Sequence, residues 1–442
     1  MKTLSRLLVA CTCLTGVALA APSAFAADKA ADQSFTIAVI PDTQNYVDYT
    51  HQKDEGFAFD ASQLFLDQMA FVAANLKSAG GDIALKSAGG DIAFVDGLGD
   101  NWQHQSLQID PAHAARGFKR APNPIMDGHF APTEKVHTVE MPKVGEGWDK
   151  LIGKVPFSVV PGNHDYDAMW TDSNHPPAAQ FKDMSSIGVM HSGGLTNWKK
   201  VFSDQSKYFK GQPWYVASHD DGADSAQIFT AGGYRFLHIG LQFDAPNSSL
   251  QWAAEVIKRY PGVPTIVSMH DFLDTAGNRL PNPIIDNAAV DPEDNSPQMI
   301  WDKFISQNDQ IFMVLCGHEH AQAFRMDANK AGHPVYQVLA DYQDRAQTAK
   351  DAGAKMQPGM GIGDGWLRLM TFDMGAKVPQ VKVRTYSTHY KVNSVDAPDY
   401  VKWYKAEEKP KLTDAEYMKA DDFTIDLTDF RARFGKPKVA AK

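Results

Sequence analysis

Several short apolar runs of this sequence end in turns that carry carboxylate, amide or imidazole side chains. In one of them, Pro161 and Gly162 stop a β-rich run, because proline cannot donate to a sheet ladder and glycine allows a tight turn. Asn163, His164 and Asp165 follow that turn directly. Open α/β sheets bind their ligands at the carboxyl ends of strands. This feature predicts an α/β fold whose strand ends converge on one polar site.

Five predicted strands end in this way, at residues 35–40, 92–95, 156–160, 264–269 and 311–316. The polar residues that follow them are Asp42 with Gln44, Asp100, Asn163 with His164 and Asp165, His270, and His318 with His320. A single histidine after a strand is most often a structural residue, and Gly-Asp alone is commonly a turn. In combination, these carboxylate, amide and imidazole groups suit borderline divalent metal ions.

Helical periodicity alternates with the strands over the first three quarters of the chain, for example at residues 61–78 and 250–260. The last quarter predicts strands at 335–340, 366–372, 381–386 and 423–427, with no helices between them. We expect one large domain at 35–390, whose sheets are extended by C-terminal strands. A C-terminal extension with a final strand should follow at 391–442.

Three long segments leave from strand ends and should wall the site, namely residues 101–155, 166–233 and 271–296. A nine-residue sequence occurs at 76–84 and again, unchanged, at 85–93. One period repeated twice is too little for a repeat architecture. We interpret it as a local duplication that loops out on the surface.

The N-terminus predicts a signal peptide at residues 1–26 and a flexible lead-in at 27–34. Lys2 and Arg6 precede an apolar run, and Ala26 ends a small-residue cleavage site. The alternatives are a lipoprotein signal at Cys11 and a retained anchor, for which the run is short. We expect an exported protein, periplasmic or secreted. Cleavage would leave Cys316 as the single cysteine, so no intramolecular disulfide could form.

The charge of the chain bears on its partners. Its formal net charge is −10, and an acidic surface repels polyanions, so no nucleic-acid partner is expected. No stable membrane association is expected for the mature chain either. Nothing in the sequence indicates an oligomeric state.

The order of the strand-end residues resembles the calcineurin-like metallophosphoesterases. The resemblance extends from residue 35 to residue 320 and is carried by Asp42, Gly99-Asp100, Gly162-Asn163-His164-Asp165, His270 and Gly317-His318-Glu319-His320. It implies a four-layer α/β/β/α sandwich of two mixed sheets. It also implies two divalent metal ions, such as Mn, Fe or Zn, at the strand ends.

The resemblance further implies roles for individual residues. Asp100 would bridge the two metals, Asp42 and His320 would bind one of them, and the other would be bound by Asn163, His270 and His318. His164 would be either the general acid for the leaving oxygen or its electrostatic partner. Asp165 either orients an imidazole by accepting its second N–H or has a purely structural role in the turn.

Two departures from the family pattern stand out. Gln44 occupies the position where the family has histidine; it either coordinates a metal through its amide oxygen or hydrogen-bonds a metal-bound water or a loop carbonyl. Asp96-Gly97 interrupts the apolar strand before Asp100, which bears on the placement of Asp100.

The implied function is exported, metal-dependent hydrolysis of a small phosphate ester by a metal-bridging hydroxide at a dinuclear centre. Preference for monoesters or diesters is left open, and no substrate-binding residue is assigned. The alternative is a catalytically silent binding or scaffolding protein on the same fold. A hydrolase that acts on phosphate-free substrates at the same dinuclear site is a third possibility.

Overall fold

The structure is a computed structural model that describes residues 33–48, 60–77, 91–132, 135–180, 182–183, 186–354 and 361–437. The predicted signal peptide, nearly all of the lead-in and most of the duplicated nonapeptide lie outside the described residues. No helix in the described ranges has the length and hydropathy that a membrane crossing requires.

Apolar runs that end at glycine, proline or a polar turn form the strands. The strands are β1 (Ser34–Ile40), β2 (Ile92–Gly97), β3 (Phe157–Val159), β4 (Ala168–Thr171), β5 (Met190–Gly193), β6 (Tyr215–His219), β7 (Asp224–Ala231), β8 (Tyr234–Gly240), β9 (Thr265–Ser268), β10 (Ile311–Cys316), β11 (Ala321–Ala328), β12 (Pro334–Asp341), β13 (Trp366–Asp373), β14 (Gln380–Ser387), β15 (Val392–Asn393) and β16 (Asp422–Asp426).

The helices lie mainly between strands. They are α1 (Gln44–Val47), α2 (Ser62–Ala74), α3 (Pro111–Ala115), α4 (Pro124–His129), α5 (Met141–Asp149), α6 (Thr196–Phe202), α7 (Asn247–Arg259), α8 (Asn287–Val290), α9 (Pro297–Lys303), α10 (Gln347–Asp351), α11 (Tyr400–Glu408), α12 (Asp414–Asp421) and α13 (Phe430–Phe434). Short 3₁₀ or π turns occur at Val136–Glu140, Asn163–Asp165, Asp220–Gly222, Ile305–Gln307 and Ser394–Asp396.

The strands form two seven-stranded mixed sheets. The first sheet has the order β15-β14-β13-β1-β2-β3, with β16 also paired to β14. The second has the order β11-β12-β10-β9-β8-β7-β6, and β4 pairs with β5 separately. In the first sheet β1, β2 and β3 are parallel, whereas β13 runs antiparallel to β1. The predicted α/β class is confirmed, including the extension of a sheet by C-terminal strands.

The two sheets pack face to face. Phe35 of β1 packs on Phe236 of β8 with ring centroids 5.4 Å apart, and Phe94 of β2 stacks on Phe229 of β7 at 4.6 Å. The outer face of the first sheet shares a core with α2 and α5, and that of the second with α7 and α9. Each helix thus buries its apolar face on a sheet, which gives the layer order α/β/β/α.

The strand β2 continues through the polar pair that interrupts its apolar pattern. Asp96 is fully buried between the sheets, where its carboxylate accepts a hydrogen bond from the Ser268 hydroxyl at 3.0 Å and lies 3.1 Å from His238 Nε2. Gly97 admits the Trp148 ring, since a Cβ there would lie 2.8 Å from it. The buried carboxylate is satisfied by hydrogen bonds, so β2 still delivers Asp100 to the sheet edge.

The prediction that the last quarter lacks helices is wrong. The helix α10 separates β12 from β13, and α11 and α12 precede β16. Tyr400 and Tyr404, one helical turn apart, pack with Tyr417 around Trp366. This helical spacing of aromatic residues is the signal that the strand prediction overlooked.

We expect deletion of residues 76–84 to be tolerated. Leu76 forms a β-bridge with Ile92, and the Ile92 N–H donates to the Asn75 carbonyl at 3.1 Å, so the ends of the intervening segment are adjacent. The deletion puts Leu85 after Asn75, which restores the same residue type at the buried position. Soluble yield and thermal midpoint should match those of the full chain. Loss of soluble protein would mean that the extra nonapeptide is structural.

Candidate metal centre

The carboxyl ends of parallel strands from both sheets meet at one edge of the sandwich. A cavity of about 200 Å³ lies there. Six of the residues predicted from the sequence line it, namely Gln44, Asp100, Asn163, His164, His318 and His320. Asp42 and His270 lie behind them and are almost completely buried.

Two glycines allow the strand-end loops to approach one another. A Cβ at Gly162 would lie 2.2 Å from Asp100 Oδ1, and a Cβ at Gly317 would lie 2.2 Å from Asp42 Oδ1. Either contact would force Asp100 or Asp42 to move from its place in the site, so glycine is favoured at both positions. Asp100 and His318 themselves adopt left-handed backbone conformations, with φ of 50° and 70°. These tight turns aim their side chains across the edge.

Four possible metal-ligand atoms converge at one point, and one of them is His270 Nε2. This nitrogen lies 3.0 Å from Asn163 Oδ1, 3.2 Å from Asp100 Oδ2 and 3.2 Å from His318 Nδ1. Two ligands of one divalent ion, each about 2.0–2.2 Å from it, are separated by roughly 3 Å. The His270 Nδ1–H donates to the Leu98 carbonyl at 2.8 Å, which directs Nε2 into the cluster. The four groups therefore fit the coordination sphere of one metal ion.

Asp42 and Gln44 lie beside this cluster. The His318 N–H donates to the Asp42 carboxylate at 3.2 Å, and Asp42 Oδ2 lies 3.8 Å from His270 Nε2. The Gln44 amide nitrogen donates to Asp100 Oδ2 at 3.2 Å and also to the side-chain oxygen of Gln343. Gln44 Oε1 is buried and has no hydrogen-bond partner among the described residues. An unsatisfied buried oxygen is unfavourable, so this atom fits a metal ligand.

His320 is placed differently from what the family resemblance implies. Its side chain is 43% exposed, and its Nδ1 forms a 2.5 Å hydrogen bond with Asp344 Oδ2. Its Nε2 contacts the Gln343 amide and lies 4.0 Å from Asp341 Oδ2. Both ring nitrogens of His320 are thus engaged by residues at or just after the end of β12. One metal position is well assembled in this geometry, and the other is more open.

The electrostatics of the edge favour a cation. Burial, with the nearby charges of Asp341 and Asp100, raises the pKa of Asp42 well above its ordinary value. Burial also raises the pKa of Asp341 to about 6, although His320 opposes this shift. Burial tends to raise the pKa of Asp100 too, but His270 and His164 outweigh it and lower that pKa. A divalent ion would compensate the crowded carboxylates.

His164 is held at the cavity by two hydrogen bonds. Its Nδ1–H donates to Gln103 Oε1 at 2.5 Å, and its backbone N–H donates to Asp100 Oδ1 at 2.9 Å. The ring packs 5.6 Å from that of Phe130. The side chain is therefore anchored through Nδ1, which fixes the orientation of Nε2.

Within the described part of the chain, the Asp165 carboxylate is hydrogen-bonded by backbone and amide groups and not by an imidazole. Its carboxylate accepts from the backbone N–H of Gly162 at 2.9 Å and of Asn101 at 2.8 Å, and from the Asn101 side chain at 3.2 Å. Burial and the neighbouring Asp100 raise its pKa to about 7. The geometry favours the structural alternative, in which Asp165 fixes the turn that carries Asn163 and His164.

Sequence reasoning missed a sixth strand end. The strand β12 runs parallel to β10 and is followed by Gln343 and Asp344, which line the cavity, while Asp341 is its last residue. The strand was predicted at 335–340, and the strand-end rule would have identified these side chains. Gln103, the partner of His164, carried no comparable signal because it lies in an irregular segment.

Comparisons with known proteins assign no function to this site. No known family model matches the chain. A stretch of 243 residues, 54% of the chain, is 24% identical to the uncharacterized protein YvnB of Bacillus subtilis (strain 168). The matched region spans 15% of that protein's length. The name of this relative assigns no activity, so function must be argued from the site.

Proposed function

We propose that the protein is a metal-dependent phosphoesterase of the calcineurin-like type. The observation that carries this proposal is the convergence of Asn163 Oδ1, Asp100 Oδ2 and His318 Nδ1 within 3.2 Å of His270 Nε2. Strand ends from both sheets supply these atoms, and an anchored histidine lines the same cavity. Carboxylate, amide and imidazole donors in one cluster suit Mn, Fe or Zn.

Two ions are proposed at this edge. Asn163, His270 and His318 would hold one, Asp42 and Gln44 would hold the other, and Asp100 would contact both. When bound, such a pair supplies Lewis acidity toward phosphate oxygens and a nucleophile at neutral pH. The Asp165 carboxylate keeps the turn of Asn163 and His164 in place through its bonds to Gly162 and Asn101.

His164 is proposed as the proton donor to the departing oxygen. Its Nδ1 is engaged by Gln103, so the proton it can transfer is held at Nε2. The cavity volume of about 200 Å³ suits a small ester. Phe130, Ile284 and Ile285 supply apolar walls that could contact an ester substituent.

A catalytically silent binding protein is the second candidate. The contacts of His320 favour it, because both of its ring nitrogens already have protein partners, Asp344 and Gln343, and neither is then available to a metal ion. Its predicted behaviour differs clearly: the strand-end cluster would bind metal or phosphate without turning over an ester.

The deciding experiment combines metal analysis with turnover. The purified chain would be stripped with a chelator, reloaded with Mn²⁺, Zn²⁺ or Fe²⁺, and assayed with nitrophenyl phosphate and bis(nitrophenyl) phosphate. The proposal expects bound metal and metal-dependent release of nitrophenol from at least one ester. Bound metal without turnover would support the silent alternative, and absence of metal binding would contradict the phosphoesterase proposal.

Gln44 should set the strength of one metal position. If its free Oε1 is a ligand, that position has a neutral oxygen in place of an imidazole nitrogen, so it should favour harder ions and lose its ion first on dialysis. Added Mn²⁺ should then restore activity. Gln44→His should tighten the site and Gln44→Ala should loosen it. The measurement is the metal-to-protein ratio after controlled dialysis; three indistinguishable ratios would rule out Gln44 as a ligand.

A further inference from the structure

A second group of metal-ligating side chains lies outside the strand-end cavity. It consists of His113 in α3, His191 in β5 and Asp291 directly after α8. One ligand atom from each lies within 4.8 Å of those from the other two. The His191 and Asp291 side chains are 1% and 2% exposed, and that of His113 is 16% exposed. None of the three lines the cavity described above.

His113 is oriented as a metal-bound histidine is. Its Nδ1–H donates to Asp110 Oδ2 at 2.6 Å. Asp110 is itself fixed, because its Oδ1 accepts from the backbone N–H of Ala112 at 3.1 Å and of His113 at 3.2 Å. The other ring nitrogen, Nε2, lies 3.5 Å from Asp291 Oδ2. Two ligands about 2.0–2.1 Å from a tetrahedral zinc are roughly 3.4 Å apart, and a carboxylate behind the histidine is the usual support.

The two ring nitrogens of His191 also differ in their surroundings. Nε2 lies 3.2 Å from Asp294 Oδ2. Nδ1 is buried and has no hydrogen-bond partner among the described residues. A buried ring nitrogen without a partner is unfavourable. A metal ion bound between the three residues would satisfy it.

We propose that His113, His191 and Asp291 form a structural site for a borderline divalent ion such as Zn²⁺. Two imidazoles and a carboxylate suit this class of ion, and burial is typical of structural zinc sites. Asp294, 3.2 Å from His191 Nε2, would support this ring from behind, as Asp110 supports that of His113.

The charges around the cluster are compatible with a cation. Arg116 forms a bidentate ion pair with Asp291, with NH2 to Oδ1 at 2.8 Å, and would repel a metal ion. Its side chain is 41% exposed, so solvent screens it. Three carboxylates, those of Asp110, Asp291 and Asp294, also contact the two histidines, so the cluster holds more acidic than basic groups.

The position of the cluster gives the ion a mechanical role. Its three residues come from the three long segments 101–155, 166–233 and 271–296. Next to His191, the Met190 N–H donates to the Ile284 carbonyl at 2.7 Å, and Ile284 lines the strand-end cavity. An ion at this cluster would therefore join the segments that form the cavity wall.

The test counts Zn²⁺ in the full chain and in His191→Gln after chelation, reloading with Zn²⁺ and gel filtration. The variant should hold about one Zn²⁺ per chain fewer than the wild type. His333→Gln is the matched control, because His333 also has a single carboxylate partner, Asp309 at 2.6 Å, but lies on an exposed turn. It should retain the wild-type count. Equal counts in all three proteins would overturn the proposal.

A second measurement covers the case in which His191→Gln does not fold. In the wild-type chain, bound Zn²⁺ should slow carbethoxylation of His113 and His191, located by mass spectrometry, while His333 reacts at an unchanged rate. This readout is independent of catalysis and of the strand-end metals. Reaction of His113 and His191 at the same rate with and without Zn²⁺ would contradict the site.

Discussion

Asp100→Asn is expected to abolish most of the activity and to release bound metal. Asp100 contacts the donor cluster through Oδ2, 3.2 Å from His270 Nε2, and holds the His164 backbone through Oδ1. An amide lacks the negative charge that a shared ligand of two cations supplies. Because a metal ion contributes several kcal/mol to transition-state stabilisation, kcat/KM should fall by about 10³-fold or more. Metal content and turnover would be measured on the same preparation.

Asp96→Asn is the matched control for that experiment. Asp96 lies four residues earlier on β2, is equally buried, and bonds to Ser268 and His238 between the sheets. Its replacement should lower the thermal midpoint while leaving the metal-to-protein ratio unchanged. If Asp100→Asn keeps full metal content and activity, the assignment of Asp100 as a shared ligand is wrong.

His164→Ala is expected to slow turnover by about 10²–10⁴-fold with nearly unchanged metal content. The ring lines the cavity but belongs to none of the close contacts around His270 Nε2. A general acid matters most when the leaving oxygen is basic, so the loss should be larger for an alkyl phosphate than for a nitrophenyl phosphate. The measurement is kcat for both esters beside metal analysis.

His137→Ala serves as the control for His164. His137 is exposed and hydrogen-bonds Gln105 at 2.7 Å, so its removal should change neither kcat nor metal content. Parallel loss of metal and activity in His164→Ala would identify His164 as a ligand. Equal losses for the two esters would exclude the general-acid role.

The fold was largely predictable because its strands are apolar runs that end at glycine, proline or a polar turn. The run at β10 predicts a buried strand, and Gly317 marks the turn that follows. The same reasoning located Asp100, Asn163 and His270, since parallel strands carry their ends to one edge. Periodicity failed where tertiary contacts decide structure. The helices α11 and α12 are stabilised by aromatic packing on Trp366, and the helical spacing of Tyr400 and Tyr404 alone does not identify this distant partner.

The details of the site depended on contacts between residues distant in sequence. The position of His320 follows from Asp344, twenty-four residues later, and that of Asp165 from Asn101. Hydrogen bonds between residues this far apart in the sequence follow no periodic pattern from which they could be predicted. The free oxygen of Gln44 is similar: its amide nitrogen is oriented by Asp100 and Gln343, which leaves Oε1 without a protein partner.

The antiparallel pairing of β1 with β13 has a consequence for biosynthesis. Ser34 pairs with Asp373, so the N-terminal strand obtains its second neighbour only after most of the chain has been made. At ribosomal rates of about 5–20 residues per second, roughly 17–70 s separate the synthesis of the two partners. During that interval one edge of β1 has open backbone donors and acceptors, which can pair with other chains. A fragment that ends before Trp366 would therefore be prone to aggregation, and Asp42, two residues beyond β1, follows a strand that waits for β13.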